Sequence, residues 1–331
     1  MYKVYLRKGD LIDANAFYTN IIVEAISQNG DKVEYINSIS QIEDNDIIVV
    51  INIWAAQEAW GSGKRIKVIV WFQGIAPEEA VISSHGFIDK VKSIIKLRYF
   101  EYKTLKKSTL NFFVSRTMVD HYRRIYHYNK NNFYIMPCFN QELDMSSFND
   151  AKYSRPTFVY TGNLAAWQCF EPMVQLFSNI KKELPNATLS IYTQDKDKAK
   201  DILSKYGVNA EIKYVPYQIL SQEIKQYKYG FIIRENIEIN RVATPTKMNS
   251  YLASGIIPIY SNVVGAFQEN LSNLKYTIPL DLTGRGIEKL YNLEKNLIKA
   301  SDVQDEFKKV FSNYYSRTRY IKEIADLLSN I

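Results

Sequence analysis

At 331 residues, with 46% hydrophobic residues, the chain holds enough apolar material for two ordinary domains, each with its own core. Its formal charge of +7 favours phosphorylated or acidic partners. No arginine-rich run, zinc-finger spacing or RNP-like motif is present, so nucleic acid is not an expected partner. No basic-then-apolar leader and no apolar run of about 20 residues occurs, so neither a signal peptide nor a membrane-spanning helix is expected. Two cysteines, Cys138 and Cys169, lack metal or redox spacing and read as buried thiols in a reducing cytoplasm. The 3 histidines form no ligand pattern, which excludes a histidine-rich zinc site. The 25 tyrosines and 16 phenylalanines suit stacking on sugars and bases, and equally a core.

In chain order, strands are predicted at 4–6, 32–36, 46–53 and 65–72, with a helix over 14–28 stopped by Asn29 and Gly30. No G-x-G-x-x-G fingerprint occurs here. Alternating strands and helices at this spacing predict an α/β fold built on a doubly wound parallel sheet. The fourth strand runs out into Gln73 and Gly74, then Pro77-Glu78-Glu79. Ligands of open α/β sheets bind beyond the carboxyl ends of strands, which makes Gln73 and Gly74 candidate cleft residues; a plain strand-to-helix turn fits equally well. Residues 87–107 interleave Phe87, Ile88, Val91, Ile94, Ile95, Leu97, Phe100 and Leu105 with six lysines and Arg98, opposed only by Asp89 and Glu101. A basic amphipathic helix of this kind is a candidate for an anionic membrane surface, or else a surface helix with solvated lysines. A strand at 110–114, Ser115 as a helix cap, a helix over 116–128 and a strand at 133–136 follow. Residues 141–154 are polar and proline-flanked, as a linker would be.

A second sheet is predicted from 157–160, leading into Gly162 and Asn163. Gly162 lets a backbone approach a ligand, and a helix starting near Trp167 offers a positive end. Further strands are expected at 187–192 and 210–215, with a helix over 195–206 between them. The stretch 229–261 then reads as buried strand, polar loop, capped helix and buried strand. Thr244 offers an N-cap hydroxyl, Pro245 suits the first helical position and Gly255 fits a left-handed stop. Asn240, Arg241, Thr246 and Lys247 thus gather at the amino end of one helix, with Arg234 at the end of the preceding strand. Helix amino ends bind anions, and two added cations make a candidate diphosphate clamp. Many such units bind nothing and carry a merely solvated lysine.

The stretch 243–258, ATPTKMNSYLASGIIP, resembles the donor-site segment of retaining GT-B glycosyltransferases, more narrowly the group-1 (family 4-like) enzymes of bacterial capsule and O-antigen pathways. The typical pattern is P-x-K-x-x-E-Y-x-A-x-G-x-P. This chain departs from it with Ser250 where the family's ribose-gripping glutamate stands and Val242 eight residues earlier, so the paired-glutamate spacing is absent. Glu235 is a candidate substitute. The sequence 160–168, Y-x-G-x-x-x-x-W-Q, resembles the opening of the carboxyl domain in some relatives, without their basic pair; Trp167 and Gln168 read as structural. The resemblance also implies that Val215-Pro216-Tyr217 borders the nucleobase and that the loop at Gln73 borders the acceptor.

The resemblance implies two Rossmann-like doubly wound domains facing a central cleft. An acceptor domain would span 1–148, a nucleotide-sugar domain 149–311, and a terminal helix over 312–331 would cross back to the first. It further implies sugar transfer from a nucleotide-diphosphate donor to a lipid-linked or growing oligosaccharide, with retention, in the cytoplasm or at the inner membrane face. Arg234 and Lys247 would stabilise the leaving diphosphate; Gly162, Asn163, Tyr217, Glu235, Asn240, Arg241, Thr244, Thr246 and Ser250 would line the donor site. No metal or other cofactor is expected, since no Asp-x-Asp signature occurs in a cleft-facing loop. Two other readings share the fold: a non-catalytic glycan-binding or transferase-partner protein, favoured by Ser250, and a sugar-nucleotide epimerase. His85, His121 and His127 are poorly placed for the epimerase.

Overall fold

The computed structural model describes residues 1–83, 87–281 and 283–331; His85 lies outside them, as do the side chains of residues 13, 14, 83 and 87–89. The chain divides into two compact units, one of Met1–Asn140, Arg241–Thr244 and Ser316–Ile331, the other of Gln141–Asn240 and Pro245–Tyr315. Residues 141–144, expected in a linker, belong to the second unit for a physical reason. Asn249 exchanges two hydrogen bonds with the Gln141 backbone, at 2.9 and 3.0 Å, and the Asp144 amide donates to the Ala253 carbonyl.

The first unit carries a six-stranded parallel sheet in the order β2-β1-β3-β4-β5-β6. Its strands are β1 (Tyr2–Tyr5), β2 (Val33–Ile36), β3 (Ile47–Val50), β4 (Lys67–Phe72), β5 (Leu110–Phe113) and β6 (Phe133–Ile135). β1 and β5 are buried along their whole length, the signature of a sheet covered on both faces. The cover comes from α1 (Asp13–Gln28), α2 (Ile53–Gly61), α3 (Ala76–Ser83), α4 (Phe87–Lys107) and α5 (Arg116–Tyr126). α2 was not expected. Its apolar start continues the β3 run, and the break is made by Asn52, whose side chain caps the Ala55 amide at 2.9 Å. Ser115 caps α5 as anticipated, accepting from the Met118 amide at 3.0 Å.

The second unit repeats the plan with the order β12-β11-β10-β7-β8-β9. Its strands are β7 (Thr157–Thr161), β8 (Thr188–Tyr192), β9 (Glu211–Lys213), β10 (Tyr229–Ile232), β11 (Ile257–Ser261) and β12 (Ile278–Leu280). The helices are α6 (Asp150–Tyr153), α7 (Phe170–Glu183), α8 (Lys196–Lys205), α9 (Tyr217–Ile224), α10 (Glu238–Val242, whose last two residues belong to the first unit), α11 (Thr246–Ala253), α12 (Gly265–Leu271), α13 (Glu288–Glu294) and α14 (Ala300–Asn313). All five strand pairings described in this sheet are parallel, and the strand order reverses between β7 and β10. α11 lies close against β10 because Gly230 has no side chain: a Cβ there would sit 2.5 Å from the buried Tyr251 ring.

The last helix, α15 (Arg317–Leu328), begins after the Ser316 cap rather than near residue 312, because α14 continues to Asn313. α15 belongs to the first unit and packs on α1, where Asn29 Nδ2 donates to the Ala325 carbonyl at 2.7 Å and Arg317 pairs with Glu24. No helix among the described residues is long and apolar enough to cross a membrane.

Candidate functional site

The strand order reverses between β7 and β10, and the carboxyl ends of the strands at such a switch point are the general ligand position of an open parallel sheet. Arg234 stands just past β10. Its backbone amide is fixed by the Ser261 hydroxyl at the end of β11, 2.9 Å away, and the residue is only 6% exposed. Its Nη1 donates to the Trp167 carbonyl at 3.1 Å and to Gln168 Oε1 at 2.6 Å, while its Nε has no partner among the described residues. Lys247, the second residue of α11, donates from Nζ to the same Gln168 Oε1 at 2.6 Å and lies 4.5 Å above the Tyr160 ring. Two cations therefore share one neutral acceptor.

Gly162 makes room for this arrangement. It follows β7 directly with φ at +125°, and a Cβ there would sit 2.8 Å from Lys247 Nζ. The electrostatics follow from crowding. Burial, then the Arg234 charge, holds the Lys247 ammonium well below its usual pKa, and burial lowers Arg234 as well. An anion placed between them would relieve both costs. α11 adds its own first-turn N–H groups, since Pro245 precedes it and no side chain caps it.

The remaining predicted residues divide between the site and its scaffold. Thr246 opens α11, and Ser250 lies one turn further along it. Asn163 is exposed beside Gly162, accepting from the Ala165 amide. Glu235 is exposed next to Arg234 and borders a pocket of about 410 Å³ with Cys169, Phe170, Lys198 and Tyr206. Asn240 is buried and donates to the Glu235 carbonyl at 3.0 Å, so it shapes the loop rather than facing a ligand. Thr244 does not cap α11. Its hydroxyl accepts from the Cys138 amide at 2.9 Å, because that backbone donor is otherwise left over as β6 ends. The Arg241 carbonyl accepts from Thr117, and both residues belong to the first unit. Tyr217 begins α9 beyond the outer strand β9, two strands removed from β7. The helix expected near Trp167 starts only at Phe170, after a single 3-10 turn and a left-handed Cys169.

In the first unit, Gln73 and Gly74 follow β4. Gln73 Nε2 donates to the Ile51 carbonyl at 2.8 Å, and the Gly74 carbonyl accepts from Tyr122 at 3.2 Å. They border a pocket of about 250 Å³ with Asn52, Trp54, Trp71 and Glu101. Glu101 is fully buried, accepting from Tyr126 at 2.7 Å and from the Ala76 amide at 3.0 Å, and burial pushes its carboxyl up to about 8. His121 is buried 3.9 Å from Glu78 and His127 ends α5, so neither belongs to the Arg234–Lys247 cluster.

Sequence reasoning missed Gln168, read as structural, and the platform role of Tyr160. Neither carries a charge, and only the convergence of two cations gives the amide its meaning. Among the described residues no group of three His, Cys, Asp or Glu side chains could hold a metal ion.

No family model and no curated protein matches the sequence. Solved structures do match. A glycosyltransferase from Rickettsia africae aligns at 11% identity with a TM-score of 0.68, over 98% of this chain and 97% of that one. Sucrose-phosphate synthase from Thermosynechococcus elongatus aligns at 10% identity with a TM-score of 0.62, over 99% and 94%. A variant of S. aureus TarM, solved with fondaparinux, α-GlcNAc-glycerol and UDP, aligns at 10% identity with a TM-score of 0.63, over 86% of this chain. This chain has the GT-B fold. It covers 57% of the length of that TarM chain. Within the GT-B plan, the Arg234–Lys247 cluster sits at the switch point of the carboxyl-terminal sheet.

Proposed function

We propose that the protein is a retaining glycosyltransferase of the capsule or O-antigen type. It moves a hexosyl group from a nucleotide-diphosphate donor to a lipid-linked or growing surface glycan, at the cytoplasmic face of the membrane. The observation that carries this reading is the convergence of Arg234 and Lys247 on one neutral oxygen, Gln168 Oε1, at the switch point of the second sheet. Cleavage of the bond between the anomeric carbon and the β-phosphate oxygen builds negative charge on the departing diphosphate. Fixed cations and α11 N–H groups meet that charge with little reorganisation. The amide of Gln168 holds the place of a phosphate oxygen until the donor arrives. The departing phosphate takes the acceptor hydroxyl proton, so no protein nucleophile and no metal is assigned. The UDP complexes of TarM and of the pneumococcal O-GlcNAc transferase GtfA, solved with UDP and GlcNAc, support a nucleotide-sugar donor.

The test is a calorimetric panel of UDP, GDP, CMP and ADP against wild type and Lys247→Ala. One diphosphate is expected to bind, with the substitution costing about 1–3 kcal/mol, the scale of a charged hydrogen bond. Binding of none sinks the donor site. Ser250, in place of the family's ribose-gripping glutamate, favours a second reading as a non-catalytic partner. That reading becomes the better account if no diphosphate binds, and retained hydrolysis of a donor sugar excludes it.

A further inference from the structure

α4 carries a surface that its sequence only half describes. Val91, Ile95, Tyr99 and Tyr102 fall at spacings of four, four and three, which sets them on one stripe of the helix. All four are exposed, Ile95 at 65% and Tyr99 at 59%. Val81 and Ile82, at the end of α3 packed against α4, are exposed as well. Large apolar side chains left together in water mark an interaction surface.

The charges around the stripe have one sign. Lys92 and Lys96 are exposed along one flank, Lys106 and Lys107 are exposed in the last turn, and Lys90 and Lys103 are partly exposed. Arg98 answers Glu78 at 3.1 Å. Of the two carboxylates that oppose these lysines in sequence, Asp89 has a side chain outside those described. Glu101 has turned inward: it is 0% exposed, bonded to Tyr126 and to the Ala76 amide. From Lys90 onward the most exposed residues of α4 are lysines, apolar side chains and tyrosines, with no carboxylate among them.

We propose that this face of α4 docks on an anionic lipid bilayer, with Val91, Ile95, Tyr99 and Tyr102 entering the interface and the lysines meeting the headgroups. The charge pattern selects the occupant. A protein groove would match the apolar stripe but leave the one-sided lysine flank without a reason, whereas an anionic membrane satisfies both at once. The proposal deepens the reading above by naming the surface on which a lipid-linked acceptor is met, yet it stands on α4 alone. It is therefore tested without turnover.

The experiment is co-sedimentation of the full chain with phosphatidylcholine vesicles, with and without about 30% phosphatidylglycerol. Partitioning is expected to rise about tenfold or more with the anionic lipid and to fall back at about 0.5 M salt, where exposed charges are screened. Lys92→Glu with Lys103→Glu should abolish the anionic preference. Ile95→Ser with Tyr99→Ser should weaken binding several-fold while leaving the salt dependence in place. Unchanged far-ultraviolet circular dichroism and unfolding temperature show that these surface variants fold. Binding indifferent to phosphatidylglycerol, or unaltered by both double variants, overturns the proposal. So does concentration-dependent self-association that Ile95→Ser with Tyr99→Ser removes when vesicle binding is absent, which would make the face a contact between copies. Nucleotide titration of the same samples reads the Arg234–Lys247 site separately, so failure of one does not count against the other.

Discussion

The two sheets share one plan and end in opposite electrostatics. Past β7 and β10, the second unit buries two cations against a single amide oxygen, and Arg234 Nε has no partner among the described residues. Past β3 and β4, the first unit buries a carboxyl, Glu101, among tyrosine hydroxyls and beside Trp71. Burial acts on both, but in opposite directions: it lowers Lys247 and raises Glu101. In each unit burial disfavours the charged form. In the second, two basic groups converge on one oxygen, and such a pair gains by recruiting a counter-ion; in the first, Glu78 adds to the burial that keeps Glu101 protonated. The contrast teaches that architecture supplies the position of a site, while a few side chains decide what it can attract.

The largest expected effect lies in the first unit. With its carboxyl raised from 4.5 to about 8, folded Glu101 keeps a proton that the unfolded chain has already released. Between about pH 4.5 and 8 the native state binds more protons, so stability falls as pH rises through that window and levels off above it. Glu101→Gln, which cannot ionise, should flatten that fall, worth about 3–5 kcal/mol at the outside. Denaturant unfolding of both proteins at about pH 5 and about pH 9 reads it directly. Identical pH profiles would remove the buried neutral carboxyl from the comparison.

The second unit offers the converse change. Gln168→Glu places a carboxylate where Arg234 and Lys247 already converge, with no change in shape. Unfolding stability should rise by about 1–3 kcal/mol, as neutral-acceptor bonds become charged ones. Diphosphate affinity should fall by at least about tenfold, because the built-in anion occupies the site. If binding survives at full strength, the ligand is not held by these two cations.

Much of this contrast was open to sequence reasoning, and the omissions have common causes. Strands such as β4, β5, β7 and β11 are apolar and bounded by polar turns, so their existence was readable. β12 was not: it is three residues long with Pro279 at its centre, below what periodicity resolves. α2 was hidden because its apolar start runs on from β3 and only Asn52 separates them. At the site, Arg234 and Lys247 declared themselves by charge next to a strand end and a helix start. Gln168 and Glu101 did not. An amide is ordinary until two cations point at it, and one acid among lysines looks solvated. Glu101 shares its helix face with Leu97, Thr104 and Leu105, all buried, and that shared face was the available signal.

Thr244 gives the smallest test and separates a motif from its geometry. The Ser/Thr-Pro pattern suggests a cap for α11, but the hydroxyl instead serves the Cys138 amide, within the first unit. Thr244→Val keeps the shape and removes the acceptor, leaving that amide short of its partner at a cost of about 1 kcal/mol. If the hydroxyl belonged to α11, its loss would loosen the helix that carries Lys247 and weaken diphosphate binding in proportion. With the geometry observed, stability should drop while diphosphate affinity stays within about twofold of wild type. A parallel loss of both would return Thr244 to the helix.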